Sequence, residues 1–240
     1  MSVIYEPRGK AREYAALSCN IYRGCGHGCT YCYAPSATFT QREKFFSNPS
    51  VRSDILNQIK KEASALKTSD PILLCFTCDA YQPFDVETGL TREVLGVFDF
   101  HKIPCQVLTK GGMRASRDFD ILSKDRRNLF SVTLTHDDPK VSLEWEPGAA
   151  LPGDRIESLK TAKDHGISTW VSFEPVFDPE AVYRLIEQTH KWVDLYKVGK
   201  LNYHKAAKDI NWKEFREKAI ALLEKHGKEY YIKDDLKKAV

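Results

Sequence analysis

No stretch of this 240-residue sequence approaches the ~20 consecutive apolar residues that a bilayer crossing needs. Its opening, MSVIYEPRGK, holds no hydrophobic signal core. These two absences argue against a membrane-spanning or exported protein and set the expectation of a cytoplasmic chain with no membrane partner. Charge of one sign is also scarce. The net charge is +3 at pH 7, so there is no polyelectrolyte signature, and charge alone neither indicates nor excludes nucleic acid. No linker-like or low-complexity segment interrupts the chain, which makes one domain over residues 1–240 the simplest expectation. The 7 cysteines are an odd number, which argues against a disulfide framework. In a compartment that keeps thiols reduced, clustered cysteines read as metal ligands.

Short apolar runs alternate with longer amphipathic ones through most of the chain. Residues 72–76, 105–109, 129–134, 169–173 and 195–198 read as buried strands, the first two opened by Pro71 and Pro104. Residues 20–23 read as an earlier strand of the same series. Between the strands, helices are expected over 49–66, where Val51, Ile55, Ile59 and Ala63 recur every fourth residue, and over 90–100, 114–122, 154–165 and 179–192. A last helix over 212–226 is closed by Gly227. About six strand–helix alternations mean βαβ units and a parallel sheet. Right-handed crossovers curl such a series into an α/β partial (β/α)6-type barrel. Its core is expected over about residues 18–202, with a C-terminal helical extension and tail over 203–240. The strand ends carry Thr77 and Asp79, Thr109 and Lys110, Thr133 and Thr135, Glu174, and Lys200. Ligands bind at the carboxyl ends of parallel strands, so a shared pocket is expected there. Lys197, Lys200, Asn202, Tyr203 and His204 add a polar group beside the last strand.

The cysteines concentrate in GCGHGCTYCY, which places Cys25, Cys29 and Cys32 at C-x3-C-x2-C spacing. A structural zinc wants a fourth protein ligand, for which Cys19, Cys75 and Cys78 are candidates. His27, lying between two ligands, would have to fold back to join them. A [4Fe–4S] cluster held by only three cysteines leaves one iron open to a substrate or cofactor. Gly24, Gly26 and Gly28 let the loop wrap closely, because glycine tolerates positive φ.

A C-x3-C-x-aromatic-C loop heading a βα series resembles the radical SAM superfamily. Thr77-Cys78-Asp79-Ala80-Tyr81-Gln82-Pro83, Thr109-Lys110, Arg117-Asp118, Glu146-Pro147-Gly148 and Arg155-Ile156-Glu157 resemble its spore photoproduct lyase branch, in the same order and over roughly residues 18–175. The resemblance implies a [4Fe–4S] cluster on Cys25, Cys29 and Cys32, with S-adenosylmethionine (SAM) chelating the open iron. It implies an external one-electron reductant of flavodoxin or ferredoxin type and a 5′-deoxyadenosyl radical that abstracts a hydrogen atom. It places Tyr31 near the adenine, Thr77, Cys78 and Asp79 along the methionine amino group, Lys110 at the carboxylate and Thr133 against the cofactor. Glu174 would face the substrate or the cofactor ribose. Tyr31 and Tyr33 match the lyase's tyrosine relay, but its donor cysteine falls on Phe76 here, which leaves Cys78 as the candidate donor. Cys75 reads as a small core residue. The lyase's DNA-engaging segment is not all present in a chain of this length.

Three functional readings are open at this level. The first is a lyase-like radical SAM enzyme acting on nucleic acid or a nucleobase. The second is a radical SAM enzyme acting on a peptide or small molecule, which suits the modest charge. The third is a zinc-stabilised interaction domain with no enzymatic activity.

Overall fold

A computed structural model describes residues 2–202 and 204–239. Strands β1 (Ile4–Tyr5), β2 (Leu17–Cys19), β5 (Ile72–Leu74), β6 (Cys105–Thr109), β7 (Leu129–Thr133), β8 (Ser168–Phe173), β9 (Leu195–Val198) and β10 (Glu229–Ile232) form one sheet in that order. Every neighbouring pair is parallel except β1 with β2. β3 (Tyr22–Arg23) and β4 (Ser50–Val51) make a separate antiparallel pair. Sequential parallel order gives the partial barrel expected from the alternation. Its first core strand is Leu17–Cys19, and of the expected strand over 20–23 only Tyr22–Arg23, the small β3, is a strand.

Strand periodicity divides the sheet into two unlike faces. Ile72, Leu74, Val107, Phe130, Val132, Val171, Phe173, Tyr196 and Val198 are all buried and belong to one large apolar core. That core also takes in side chains of α3 (Ile55–Ala65), α5 (Leu90–Phe100), α8 (Pro152–Asp164), α9 (Pro179–Thr189) and α10 (Trp212–Lys225). Each fully buried aliphatic or aromatic side chain there contributes about 1.5–3 kcal/mol. The opposite face is mixed. Leu73 and Trp170 pack with Tyr14, and Leu108, Leu129 and Leu195 lie against that cluster. Ser18, Gln106, Ser131, Ser172 and Lys197 share the face by strand parity and register.

Five shorter helices occupy the connections: α1 (Ala34–Ala37), α2 (Arg42–Ser47), α4 (Pro83–Thr88), α6 (Phe119–Leu122) and α7 (Pro139–Trp145). The expected helix over 114–122 divides into a 3-10 stretch, Gly112–Asp118, and α6. Helix starts follow local chemistry. Asp138 and Asp178 accept backbone N–H bonds at the starts of α7 and α9, each followed by proline at the first helical position. The extension after β9 holds more than a helix: α10 is followed by β10, which pairs parallel with β9, and by α11 (Asp234–Lys237).

Candidate active site

The cysteine loop joins β3 to α1 at the carboxyl end of the strands, held from several sides. Cys25 donates its backbone N–H to Phe45 O at 3.0 Å, and Gly26 donates to Gln82 Oε1 at 2.8 Å. Thr30 donates to Trp145 O at 2.8 Å, and Gly148 donates to His27 O at 2.8 Å. Arg42 spreads its guanidinium over three loop carbonyls: Cys29 O at 2.7 Å, Cys32 O at 3.1 Å, and Thr30 O. Glycine is required where other backbone comes closest. A Cβ on Gly148 would collide with Gly26 O, and Gly24, at φ +79°, would meet Phe45 O at 2.5 Å.

Cys25 and Cys29 are buried, and Cys32 is half-buried. Burial raises all three thiols, Cys29 to about 12, while Lys110 pulls Cys29 and Cys32 back down. Ligation would require their deprotonation. Among the described residues, no three cysteine sulfurs lie within 4.8 Å of one another. A single tetrahedral zinc held by all three would need its sulfurs roughly 3.8 Å apart, a spacing that the three do not have together here. His27 is not poised as a ligand either. It is buried, with Nδ1 3.3 Å from Asp79 and Nε2 2.9 Å from Arg114.

Behind the loop, Glu146 and Arg155 form a buried ion pair at 2.5 Å. Tyr31 donates its hydroxyl to Glu146 Oε1, and Thr135 donates to the same oxygen at 3.0 Å. Arg155 also donates to Thr133 O at 2.9 Å and Ala150 O at 2.8 Å. Burial pushes the Glu146 carboxyl up, but Arg155 and Lys110 prevail and hold it below its ordinary value. Lys110 places Nζ 5.7 Å from the Tyr31 ring centroid. Burial tends to lower its pKa, and Cys29 and Glu146 outweigh that and raise it. No hydrogen bond or ion pair of Lys110 Nζ occurs among the described residues. An ammonium so placed is a ready site for an anion.

Asp79 sits differently from the sequence expectation. Its carboxylate accepts from Thr109 Oγ1 at 2.6 Å, Lys110 N at 2.7 Å and Tyr81 N at 2.8 Å, besides facing His27. Burial opposes its ionisation, yet His27 and these donors hold its pKa far below the ordinary carboxylate range. Asp79 therefore ties the ends of β5 and β6 together. Thr77 donates its backbone N–H to Asn20 Oδ1 at 2.9 Å. Cys78 donates Sγ–H to Tyr22 O at 3.5 Å and packs on the Cys25–Ala34–Phe45 cluster. Cys75 is buried in the large core, as read from the sequence. Tyr33 is exposed, and its hydroxyl donates to Phe76 O at 3.3 Å. Tyr31 and Tyr33 thus have separate partners, and Tyr33 reaches the Phe76 backbone rather than Cys78. Thr133 ends β7 and is buried.

Glu174 lies on another wall. Tyr14 donates to its Oε2 at 2.5 Å, and Lys233 pairs with the same oxygen. Lys197 donates to Glu13 O at 3.1 Å and Tyr14 O at 3.0 Å. Burial and the neighbouring Lys233 lower Lys197 to about 8, against a smaller opposing pull from Glu13. Lys200 lies over the Trp212 ring, and Asn202 donates to Lys200 O at 3.3 Å. His204 accepts from Ala206 N at 3.2 Å, which makes it a helix cap. Tyr203 lies outside the described residues. Sequence reasoning missed Tyr14, Arg42, Lys233 and an aromatic shelf. In that shelf the Phe177 ring centroid stands 4.3 Å from that of Trp145, 5.2 Å from that of His136 and 5.4 Å from that of Tyr31. Only Trp145, next to the Glu-Pro-Gly turn, lay beside a motif that could have drawn notice.

The chain belongs to the Radical SAM superfamily, whose family model matches residues 19–193. Membership supports an enzyme. An uncharacterized protein of Methanocaldococcus jannaschii is 27% identical over 185 residues, covering 76% of this chain and 69% of the relative. An uncharacterized protein of Mycobacterium tuberculosis is 24% identical over 65% of this chain, and the match spans 48% of that relative. In fold, the chain is similar to a spore photoproduct lyase variant with bound AdoMet and dinucleoside spore photoproduct. That match has TM-score 0.72 and 13% identity, over 95% of this chain and 78% of the other. It is also similar to Streptococcus suis SuiB bound to S-adenosylmethionine, with TM-score 0.64 and 12% identity, over 90% and 45% of the two chains. Among the described residues, no helix is long and apolar enough to cross a membrane.

Proposed function

We propose that this chain is a one-domain radical SAM enzyme of spore photoproduct lyase-like type. Cys25, Cys29 and Cys32 would hold a [4Fe–4S] cluster with one iron open to SAM, an external flavodoxin- or ferredoxin-type protein would be the reductant, and nucleic acid or a nucleobase would be the substrate class. The observation that carries this is the wired loop itself. Its three thiols do not all come within 4.8 Å of one another, and a partly buried ammonium, Lys110, stands beside Cys29 with no hydrogen-bonded or ion-paired anion among the described residues.

When bound, the cluster and SAM supply one-electron reduction and a 5′-deoxyadenosyl radical for hydrogen abstraction; the chemistry is the cofactor's, and the protein binds, orients and excludes water. Lys110 would take the SAM carboxylate. The Glu146–Arg155 pair fixes Tyr31 against the loop, where its ring and the aromatic shelf would border the adenine. Thr77, Cys78 and Thr133 would line the cofactor, and Asp79 would support them by holding β5 to β6. Glu174 would face the substrate from the far wall. Cys78 is the proposed hydrogen donor and Tyr33 the relay. The small net charge supports a second reading, in which the substrate is a peptide or small molecule.

The test is anaerobic reconstitution followed by electron paramagnetic resonance. One [4Fe–4S] signal per chain that changes on adding SAM is expected, and a colourless protein that retains only zinc would sink the proposal. Reaction with dithionite and deuterium-labelled SAM, offering oligonucleotides and peptides separately, then reads the substrate class from where the label goes. Cys78→Ala should still cleave SAM but consume it stoichiometrically, and Tyr33→Phe should slow recycling at unchanged SAM affinity. Wild-type turnover in both variants would remove the relay.

A further inference from the structure

The only group of at least three histidine, cysteine or acidic ligand atoms within 4.8 Å of one another, among the described residues, lies away from the cysteine loop. It consists of Glu187, His190 and His226. Glu187 and His190 form a Glu-x-x-His pair, three residues apart, so α9 presents them on one side. His226 comes from the end of the neighbouring α10. His226 Nε2 is 3.0 Å from Glu187 Oε2, and the two imidazole rings stack with centroids 4.0 Å apart.

We propose that Glu187, His190 and His226 form a surface site for a divalent transition metal of the zinc type, with solvent as the fourth ligand, pinning α10 to α9. Two imidazole nitrogens and one carboxylate oxygen are a donor set that zinc accepts in tetrahedral geometry. With metal–ligand bonds of about 2.1 Å, a tetrahedral edge is roughly 3.4 Å. The nitrogen–oxygen separation of 3.0 Å needs only a small opening to admit the ion in place of the shared proton.

A second observation points the same way. His190 and His226 are the C-caps of α9 and α10, so two helix C-termini, each the negative end of a macrodipole, converge on the group. Several cations oppose this. Lys225 Nζ sits 3.1 Å from Glu187 Oε1, and Lys191 and Lys228 lie near His190. Glu187 answers the first by having two oxygens, one for Lys225 and one for the metal.

The test compares the cluster-loaded full chain with His190→Ala and His226→Ala after anaerobic dialysis against zinc, reading zinc per chain and thermal midpoint. One additional zinc per chain and a raised midpoint are expected in the parent. Each variant should bind zinc at least about tenfold more weakly, because losing a direct ligand costs no less than losing a supporting one. In the full chain carrying Cys25→Ser, Cys29→Ser and Cys32→Ser, cobalt(II) should give a tetrahedral spectrum without sulfur-to-metal charge transfer. Equal zinc in the parent and both histidine variants, no additional zinc in any of them, or a sulfur-dominated cobalt spectrum would overturn the proposal.

Discussion

Carboxylates on the two sides of the barrel mouth are held in different ways. On the loop side, Glu146 is bound by Arg155, 9 residues away, by Thr135, 11 residues away, and by Tyr31, 115 residues away, while Asp79 is bound by Thr109, 30 residues away. On the far side, Glu174 is bound by Tyr14, 160 residues away, and Lys233, 59 residues away. The loop side is dry: Glu146 and Arg155 are both about 1% exposed, whereas Glu174 keeps partial access to solvent. One side is a buried frame behind three thiols. The other is a clasp between segments that precede and follow the barrel. Their ammonium groups differ in the same sense: Lys110 has no hydrogen-bonded or ion-paired anion among the described residues, and Lys197 is spent on backbone carbonyls.

The sharpest way to break the comparison is to remove a thiol. Cys25→Ala, Cys29→Ala or Cys32→Ala should abolish iron and sulfide retention after anaerobic reconstitution, whereas Cys19→Ala and Cys105→Ala should retain both. Should Cys78→Ala also empty the chain of iron, a fourth cysteine ligand exists and the open-iron reading fails.

Next come the carboxylates. Glu146→Gln leaves the Arg155 guanidinium buried and unpaired, which should lower unfolding stability by about 3–5 kcal/mol. Glu174→Gln, on the wetter side, should cost about 1–3 kcal/mol. Urea denaturation of the two variants reads the difference, and equal losses would erase the contrast between the walls.

Lys197 gives a pH signature confined to the far side. Its pKa falls from 10.5 in the unfolded chain to about 8 on folding. Between those values the unfolded chain binds more protons, so stability rises with pH across that window. Below it, the charged form costs folding on the order of 3 kcal/mol. Lys197→Met removes the rise: the stability difference between wild type and variant at pH 7.5 should shift by up to that amount at pH 10. Parallel pH profiles would mean that Lys197 titrates normally.

The last pair concerns the cofactor pocket, with Thr133 the smallest effect. Lys110→Ala should weaken SAM binding by about 1.5–3 kcal/mol, the worth of a charge-assisted contact, while leaving the cluster in place. Thr133→Val should cost less. Equilibrium dialysis with SAM decides, and unchanged affinity in Lys110→Ala would move the cofactor elsewhere.

The loop side was legible because its information is local. The spacing of Cys25, Cys29 and Cys32 and the Glu-Pro-Gly turn at Glu146 are short patterns, and Pro71 and Pro104 announce the strands that follow them. The first core strand was harder. Leu17-Ser18-Cys19 carries a polar residue on the mixed face, while Ile21 and Tyr22 look more strand-like, and Tyr22 pairs elsewhere, with β4. The far side was not legible, since no local pattern predicts that Tyr14 reaches Glu174. β10 did carry a signal, Tyr230-Tyr231-Ile232 soon after Gly227, but it was masked by the charged residues around it. The hydrogen-bond partners of Asp79 and Tyr31 come from distant parts of the chain, Thr109 and Lys110 for the first and Glu146 for the second, and no local pattern announces them.

The clasp through Glu13 also sets an order of events during synthesis. Glu13 accepts from the Tyr231 hydroxyl at 3.1 Å and from Asp234 N at 2.8 Å, 218 and 221 residues away. A chain emerging from the ribosome has released its cysteines and strands β2 to β9 long before those partners appear, and contacts of such separation are among the slowest to close. Until Lys233 arrives, the far side of the barrel stays unfastened while the thiols are already in place.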